Sequence, residues 1–158
     1  MIERPANVRI AGEADEDALY DLLLGLERDN SLGFAHDEDE VRAHIRLGTQ
    51  KNGGMHGVID APNGVIAASV GLVMNKFWYS KQFYWHELWL FVRLEYRKGT
   101  GYSDDLMAWV QYIKALFALE SGHEVPFFTS VTSRKRFEAK RRWWARRGEQ
   151  IGAIFLIR

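Results

Sequence analysis

The stretch Trp85-His86-Glu87-Leu88-Trp89-Leu90-Phe91-Val92-Arg93-Leu94-Glu95-Tyr96-Arg97-Lys98-Gly99-Thr100-Gly101-Tyr102-Ser103-Asp104-Asp105-Leu106-Met107 decides the fold. An aromatic, β-favouring run over 83–92 reads as a strand. It passes into a short basic turn with two glycines, and the turn opens a helix over 102–119. Leu106, Val110, Ile113 and Phe117 repeat there at i, i+4, i+7 and i+11. A strand, a glycine turn and a helix start in this order make an anion site. Glycines let the backbone approach a ligand, and the N–H groups of the first helical turn point at it. Arg97 and Lys98 add fixed positive charge, so a phosphate or pyrophosphate is the natural occupant. The turn lacks the Gly-Lys-Ser/Thr ending of a P-loop. It also lacks the third glycine and the early βαβ setting of a dinucleotide fingerprint.

On the N-terminal side, Val8-Arg9-Ile10 reads as a short strand. A helix over 13–29 follows, with Leu19, Leu22, Leu23 and Leu26 on one face and Asp15, Glu16 and Asp17 in its first turn. A second helix opens at Asp37, where Asp37 and Glu40 have capping-box spacing, with Val41, Ile45 and Gly48 on its inner side. Strands over 55–60 and 65–77 flank the hairpin turn Ala61-Pro62-Asn63-Gly64. On the C-terminal side come a strand over 125–132, a helix over 134–147 and a last strand over 151–157. The order β-α-α-β-β-β-α-β-α-β predicts an α/β fold, a mixed α+β sheet in a single domain over 1–158.

Composition narrows the classes. The chain has 158 residues and no cysteine, which excludes disulfides, cysteine-ligated zinc and a thiol nucleophile. Its longest apolar runs fall far short of the about 20 residues of a membrane span, and the start has no basic segment leading into an apolar one. The expectation is a cytoplasmic protein with no membrane association. The five histidines have no metal-ligand spacing and no serine lies in a nucleophile elbow, so no metal and no covalent nucleophile are expected. The net charge of zero conceals a division. Residues 1–60 carry six basic and thirteen acidic side chains, and residues 61–158 carry fifteen basic and eight acidic. Such asymmetry hints at an anionic ligand on one side, although two unlike solvated faces are the simpler reading.

Lys98-Gly99-Thr100-Gly101-Tyr102-Ser103 resembles the Arg/Gln-x-x-Gly-x-Gly/Ala turn of the GNAT superfamily of acetyl-CoA-dependent N-acetyltransferases, with Lys and Ser as departures. The lead-in Phe91 to Arg97 is similar to that family's V-x-P-E-Y/H-R, with Leu94 in place of proline and a turn one residue longer. Trp143-Trp144-Ala145-Arg146-Arg147-Gly148-Glu149 resembles its penultimate helix, often L-Y-x-x-x-G-F.

The resemblance implies a central, mostly antiparallel sheet with two splayed parallel strands, flanked by about four helices. Acetyl-CoA would lie between the splayed strands. Backbone groups of Leu90, Phe91 and Val92 would pair with the pantetheine arm. Residues Gly99, Thr100, Gly101, Tyr102 and Ser103 would cradle the pyrophosphate, with Arg97 or Lys98 beside it. The implied reaction is attack of a primary amine on the thioester, with a strand N–H from Phe91 or Val92 serving the oxyanion. Glu87 is the best carboxylate for the base, because an aromatic strand would raise its pKa. A Glu87 pointing to solvent is the plain alternative, and His86, on the other face, is the second choice of base. By strand alternation Glu87 and Val92 are expected on opposite faces. The family often places a tyrosine four residues before the late glycine, and here that residue is Trp144, a poor acid. Tyr102 or water would then protonate the departing sulfur. The rival function is a binding module that kept the fold and lost the chemistry.

Three features stand outside this frame. Lys76 to Trp85 holds six aromatics in ten residues, which fits core packing, an acceptor pocket or a homodimer interface. Residues 134–147 carry eight basic side chains with only Glu138 opposing them. A solvated face is the default reading, and the alternatives are contact with CoA phosphates or with a nucleic acid bearing the acceptor amine. A pI near 7.0 argues against a nucleic-acid-binding domain. The acidic run Asp37 to Glu40 would suit a cationic acceptor, small molecule or protein, although helix-dipole complementarity explains it too.

Overall fold

The computed structural model describes residues 2–30, 35–130 and 137–149. Five strands pair in the order β1-β2-β3-β4-β5: β1 Arg9–Ile10, β2 Gly54–Asp60, β3 Ile66–Lys76, β4 Phe83–Val92 and β5 Phe127–Phe128. The first four are antiparallel neighbours, and β5 runs parallel to β4. Among the described residues four α-helices accompany them: α1 Glu16–Asn30, α2 Glu38–Thr49, α3 Tyr102–Ser121 and α4 Phe137–Ala145. The expected mixed sheet, its antiparallel majority and its parallel pair are all present. The expected strand over 151–157 and the helical residues 134–136 lie outside the described residues.

The helices form where periodic apolar faces meet end signals. Asp37 caps α2 by accepting the Glu40 N–H at 3.1 Å. Gly122, at φ 71°, ends α3 with its N–H on the Ala118 carbonyl. On one face of the sheet, α3 buries Leu106, Trp109, Val110 and Ile113 against Val70, Leu72, Trp85 and Val92. On the other, Leu19, Leu22 and Ile45 from α1 and α2 cover Val58, Ile66, Trp89 and Phe91.

Trp85 and Trp89 are four residues apart and would share a face in a regular strand, yet they fill opposite cores. The register explains it. Gly71 pairs with Trp89 and Leu72 with Glu87, so Leu88 is an extra residue, a β-bulge that inverts the alternation. Glu87, two residues from Trp85, therefore shares the α3 face with Leu90 and Val92. The expected opposition of Glu87 and Val92 is corrected by this bulge.

Glycine makes room for the large rings. A Cβ at Gly71 would lie 2.5 Å from the Trp89 ring, whose Nε1 donates to Ser69 Oγ at 3.1 Å. Gly71→Ala is expected to destabilise the fold by about 1–3 kcal/mol through overpacking, read as a lower denaturant midpoint with an unchanged slope.

Candidate active site

β4 and β5 pair over two residues only, Trp85 with Phe127 and His86 with Phe128, after the Trp85 N–H reaches the Pro126 carbonyl at 2.8 Å. Beyond His86 the ladder stops and the strands part. Glu87 and Thr129 stand at the fork, where the Thr129 hydroxyl donates to a Glu87 carboxylate oxygen. The opening continues as a cavity of about 470 Å³. The 87–92 segment of β4 lines one side, the turn and first residues of α3 one end, and Ser130 with Lys140, Trp143 and Trp144 of α4 the other side.

Ladder alternation decides which backbone groups of β4 face this opening. The Arg93 N–H donates to the Ala67 carbonyl at 2.9 Å, so Arg93, Phe91 and Trp89 turn their N–H and C=O toward β3. Leu90 and Val92 turn theirs to the cleft, and the Val92 carbonyl there accepts Arg97 Nε at 2.8 Å. Of the two oxyanion donors named from the sequence, Phe91 is therefore directed away into the sheet. Its ring is buried in the opposite core, with the Arg97 guanidinium 5.0 Å from the ring centroid.

Two left-handed glycines shape the turn before α3. Gly99 and Gly101 hold φ of 76° and 71°, the left-handed region that favours glycine. A Cβ on either would meet nothing within 4 Å, and Gly101 lines the cavity. Thr100 pins the turn with a 2.6 Å bond from its hydroxyl to the Tyr96 carbonyl. Gly101 is the N-cap of the 20-residue α3 and supplies no side chain to its N–H groups, leaving the positive end of the helix dipole facing the cavity. Arg147, just beyond α4, pairs with Asp104, offsetting an acidic charge that would otherwise oppose an anion there.

Burial among β4, β5 and α4 pushes the Glu87 carboxyl up to about 7, against the opposing pull of the Thr129 hydrogen bond and the Lys140 charge. Glu87 thus titrates within reach of neutral pH and faces a cavity that also reaches the helix start. Among the residues singled out from sequence, Glu87, Leu90, Phe91, Val92, Arg97, Thr100, Gly101, Tyr102, Ser103 and Trp144 line this one cavity. Lys98 and Gly99 belong to the turn but not to the cavity wall. Tyr102 begins α3 with its ring 6.4 Å from Tyr96. His86 lies on the opposite face of β4, opposite Val73 in the β3 register.

The sequence reading missed Thr129 and Lys140. Nothing local marks Thr129, whose role depends on how β5 aligns with β4. Lys140 carried a signal, since it stands one helical turn before Trp144 and shares its face. The aromatic hairpin contributes nothing to the cavity. Trp85 is core, Phe77 packs against Tyr84 and Phe128, and Trp78 and Tyr79 are 95% and 69% exposed. Part of the acidic run is used locally: Asp37 caps α2, and Glu38 pairs with Arg42, which also reaches Asp17. No helix among the described residues is long and apolar enough to cross a membrane. No group of three or more His, Cys, Asp or Glu among them is placed to hold a metal ion.

A sheet forked after a parallel pair, with a glycine turn and helix start below the fork, is the fold of the GNAT acetyltransferases. No family model matches the chain by sequence, and no curated protein matches it significantly. Solved structures do match. A protein described as a predicted acetyltransferase, with acetyl-CoA, from Clostridium acetobutylicum aligns over 96% of this chain and 94% of its own, with TM-score 0.71 and 15% identity. AAC(6')-Iy, in complex with the bisubstrate analog CoA-S-monomethyl-acetylneamine, aligns over 96% and 95%, with TM-score 0.67 and 16% identity. Ribosomal-protein-alanine N-acetyltransferase from Brucella melitensis biovar Abortus 2308 aligns over 96% of both chains, with TM-score 0.64 and 12% identity. At these identities the likeness is one of fold.

Proposed function

We propose that this protein is an acetyl-CoA-dependent N-acetyltransferase that transfers the acetyl group directly to a primary amine. The observation that carries this reading is a single cavity joining a desolvated carboxylate at the strand fork to an uncapped, glycine-lined helix start. In this reading the pyrophosphate of CoA takes the turn 99–103 and the positive end of α3, with Arg97 beside it. The pantetheine arm runs along β4 and pairs with the backbone groups of Leu90 and Val92. The thioester then lies toward the fork.

The amine nitrogen attacks the acetyl carbon, forming the C–N bond and placing negative charge on the carbonyl oxygen. The cleft-facing N–H of Leu90, nearer the fork than that of Val92, serves that oxyanion. Glu87 accepts the proton shed by the amine, directly or through one water. The C–S bond breaks and CoA leaves as the thiolate. Tyr102 opens α3 at the turn end of the cavity. Glu87 and Val92 are five strand residues apart, roughly 16 Å at the usual rise, so Tyr102 belongs with the phosphates. Water supplies the sulfur's proton in this scheme, since the Trp144 indole cannot. A CoA thiolate is a fairly good leaving group and does not require a strong acid.

Two of the structural relatives are solved with acetyl-CoA or a CoA-linked bisubstrate analog, which supports acetyl-CoA as cosubstrate here. Trp144 in place of a tyrosine favours a second reading, a binding module without turnover. Titrating acetyl-CoA into the protein by calorimetry, then following thiol release with a panel of primary amines, separates the readings. Micromolar binding with amine-dependent release is expected. Binding without release selects the module, and no binding at high micromolar concentration sinks both.

A further inference from the structure

We propose that Thr129 and Lys140 are the positioning residues of Glu87, holding its carboxylate at the fork of β4 and β5 in a state able to accept a proton. The inference rests on Glu87 serving as the base and adds what controls it. His86 and Phe128 form the last parallel pair, and the next residues of each strand are Glu87 and Thr129. There the backbone ladder gives way to a side-chain bond, with the Thr129 hydroxyl donating to the Glu87 carboxylate. A hydroxyl donates more strongly to an ionised carboxylate than to a protonated one, so this bond favours the state with the proton absent from Glu87. The same bond holds one carboxylate oxygen in place on a residue that lines the cavity.

Lys140 reaches the same cavity from α4 and acts on Glu87 with the same sign. The remaining charged groups on the wall belong to the turn end: Arg97 is held by the Val92 carbonyl, and Asp104 is paired with Arg147. On β3, the residue paired with Glu87 is the apolar Leu72. His86 lies on the other face of β4. Among the described residues, Thr129 and Lys140 are thus the two groups placed to oppose burial, one by hydrogen bond and one by charge. Without them a carboxyl group in this position would stay protonated at neutral pH and would be of no use as a base.

The test is a carbon-detected NMR titration of the Glu87 carboxyl in the full, ligand-free chain, assigned through Glu87→Gln. Thr129→Val is expected to raise the midpoint by about one pH unit, and Thr129→Ser to restore it. Lys140→Met is expected to raise it by less. A merely structural role would not move a midpoint and would not be rescued by serine. Unchanged midpoints in Thr129→Val and Lys140→Met would overturn the proposal, as would a wild-type midpoint at the ordinary glutamate value of 4.5. Should the valine variant fail to fold, the lysine variant decides alone. Acetyl-CoA titrated into the same samples keeps the two readings apart. Moved midpoints without acetyl-CoA binding would defeat the enzyme reading while upholding the hold of Thr129 and Lys140 on the carboxyl group.

Discussion

Glu87→Gln is expected to lower kcat by about 10²–10⁴-fold while leaving acetyl-CoA affinity within a few fold of wild type, because general-base assistance has that magnitude. The wild-type rate should fall with acid below about 7, where Glu87 takes up its proton, and that limb should vanish in the glutamine variant. Stability should move the other way. Burial raises the folded-state pKa above the unfolded value, so the contribution of Glu87 to stability is complete below pH 4.5 and is lost as pH rises through about 7. The gap between those values corresponds to about 3 kcal/mol, an order-of-magnitude figure. The glutamine amide carries no charge at any pH, so the variant should become more stable than wild type across this window and hold a constant lead above it. Denaturant unfolding at pH 5 and pH 8 checks this. A stability difference that does not change with pH would mean that Glu87 is hydrated in the folded protein, and a kcat near wild type would remove it as the base.

How much of this site the sequence revealed follows from which interactions are local. β4 spans Phe83–Val92 and α3 begins at Tyr102, both as read from the sequence, because aromatic strand propensity and a glycine turn before an amphipathic helix are written within a few residues. The buried leucines of α1 and the inner positions of α2 likewise follow from periodicity. The bulge at Leu88 was not legible. It arises from pairing with β3, where Gly71 lies under the Trp89 ring, and a single strand read alone must assume an unbroken period of two. That one extra residue moved Glu87 onto the face of Leu90 and Val92.

Strand pairing also decided what propensity could not for Phe91 and for β5. Phe91 suggested a donor by its position, but its N–H points toward β3 because the Arg93–Ala67 bond sets the phase of the ladder. The run 125–132 reads as a full strand, and among its described residues, 125–130, the pairing with β4 is limited to Phe127 and Phe128. Thr129 becomes informative only once the end of that ladder is known. The basic helix was read as a solvated face, and Arg141 and Arg142 are exposed. Lys140 departs from that reading by lining the cavity, while Arg147, exposed and just beyond α4, pairs with Asp104 over the Trp143 ring.

Gly101→Trp is expected to weaken acetyl-CoA binding by more than about 100-fold, or roughly 3 kcal/mol, while leaving the fold in place. Two effects of the substitution must be separated. Gly101 sits at φ 71°, so any side chain costs about 1–2 kcal/mol of stability through the left-handed backbone. A Cβ there meets nothing within 4 Å, so the fold has room for bulk, and the bulk projects into the open side of the turn. An indole in that space covers the first N–H groups of α3, where the pyrophosphate is proposed to sit. Gly101→Ala carries the same backbone strain with little bulk, and it should lower the unfolding midpoint similarly while retaining most of the affinity. The comparison isolates occlusion from strain. S-acetyl-pantetheine, which lacks the phosphates, supplies a second control: whatever weak affinity it has should be nearly the same in both variants and in wild type. If the tryptophan variant binds acetyl-CoA as wild type does, the anion does not occupy this turn. The cavity would then need another ligand.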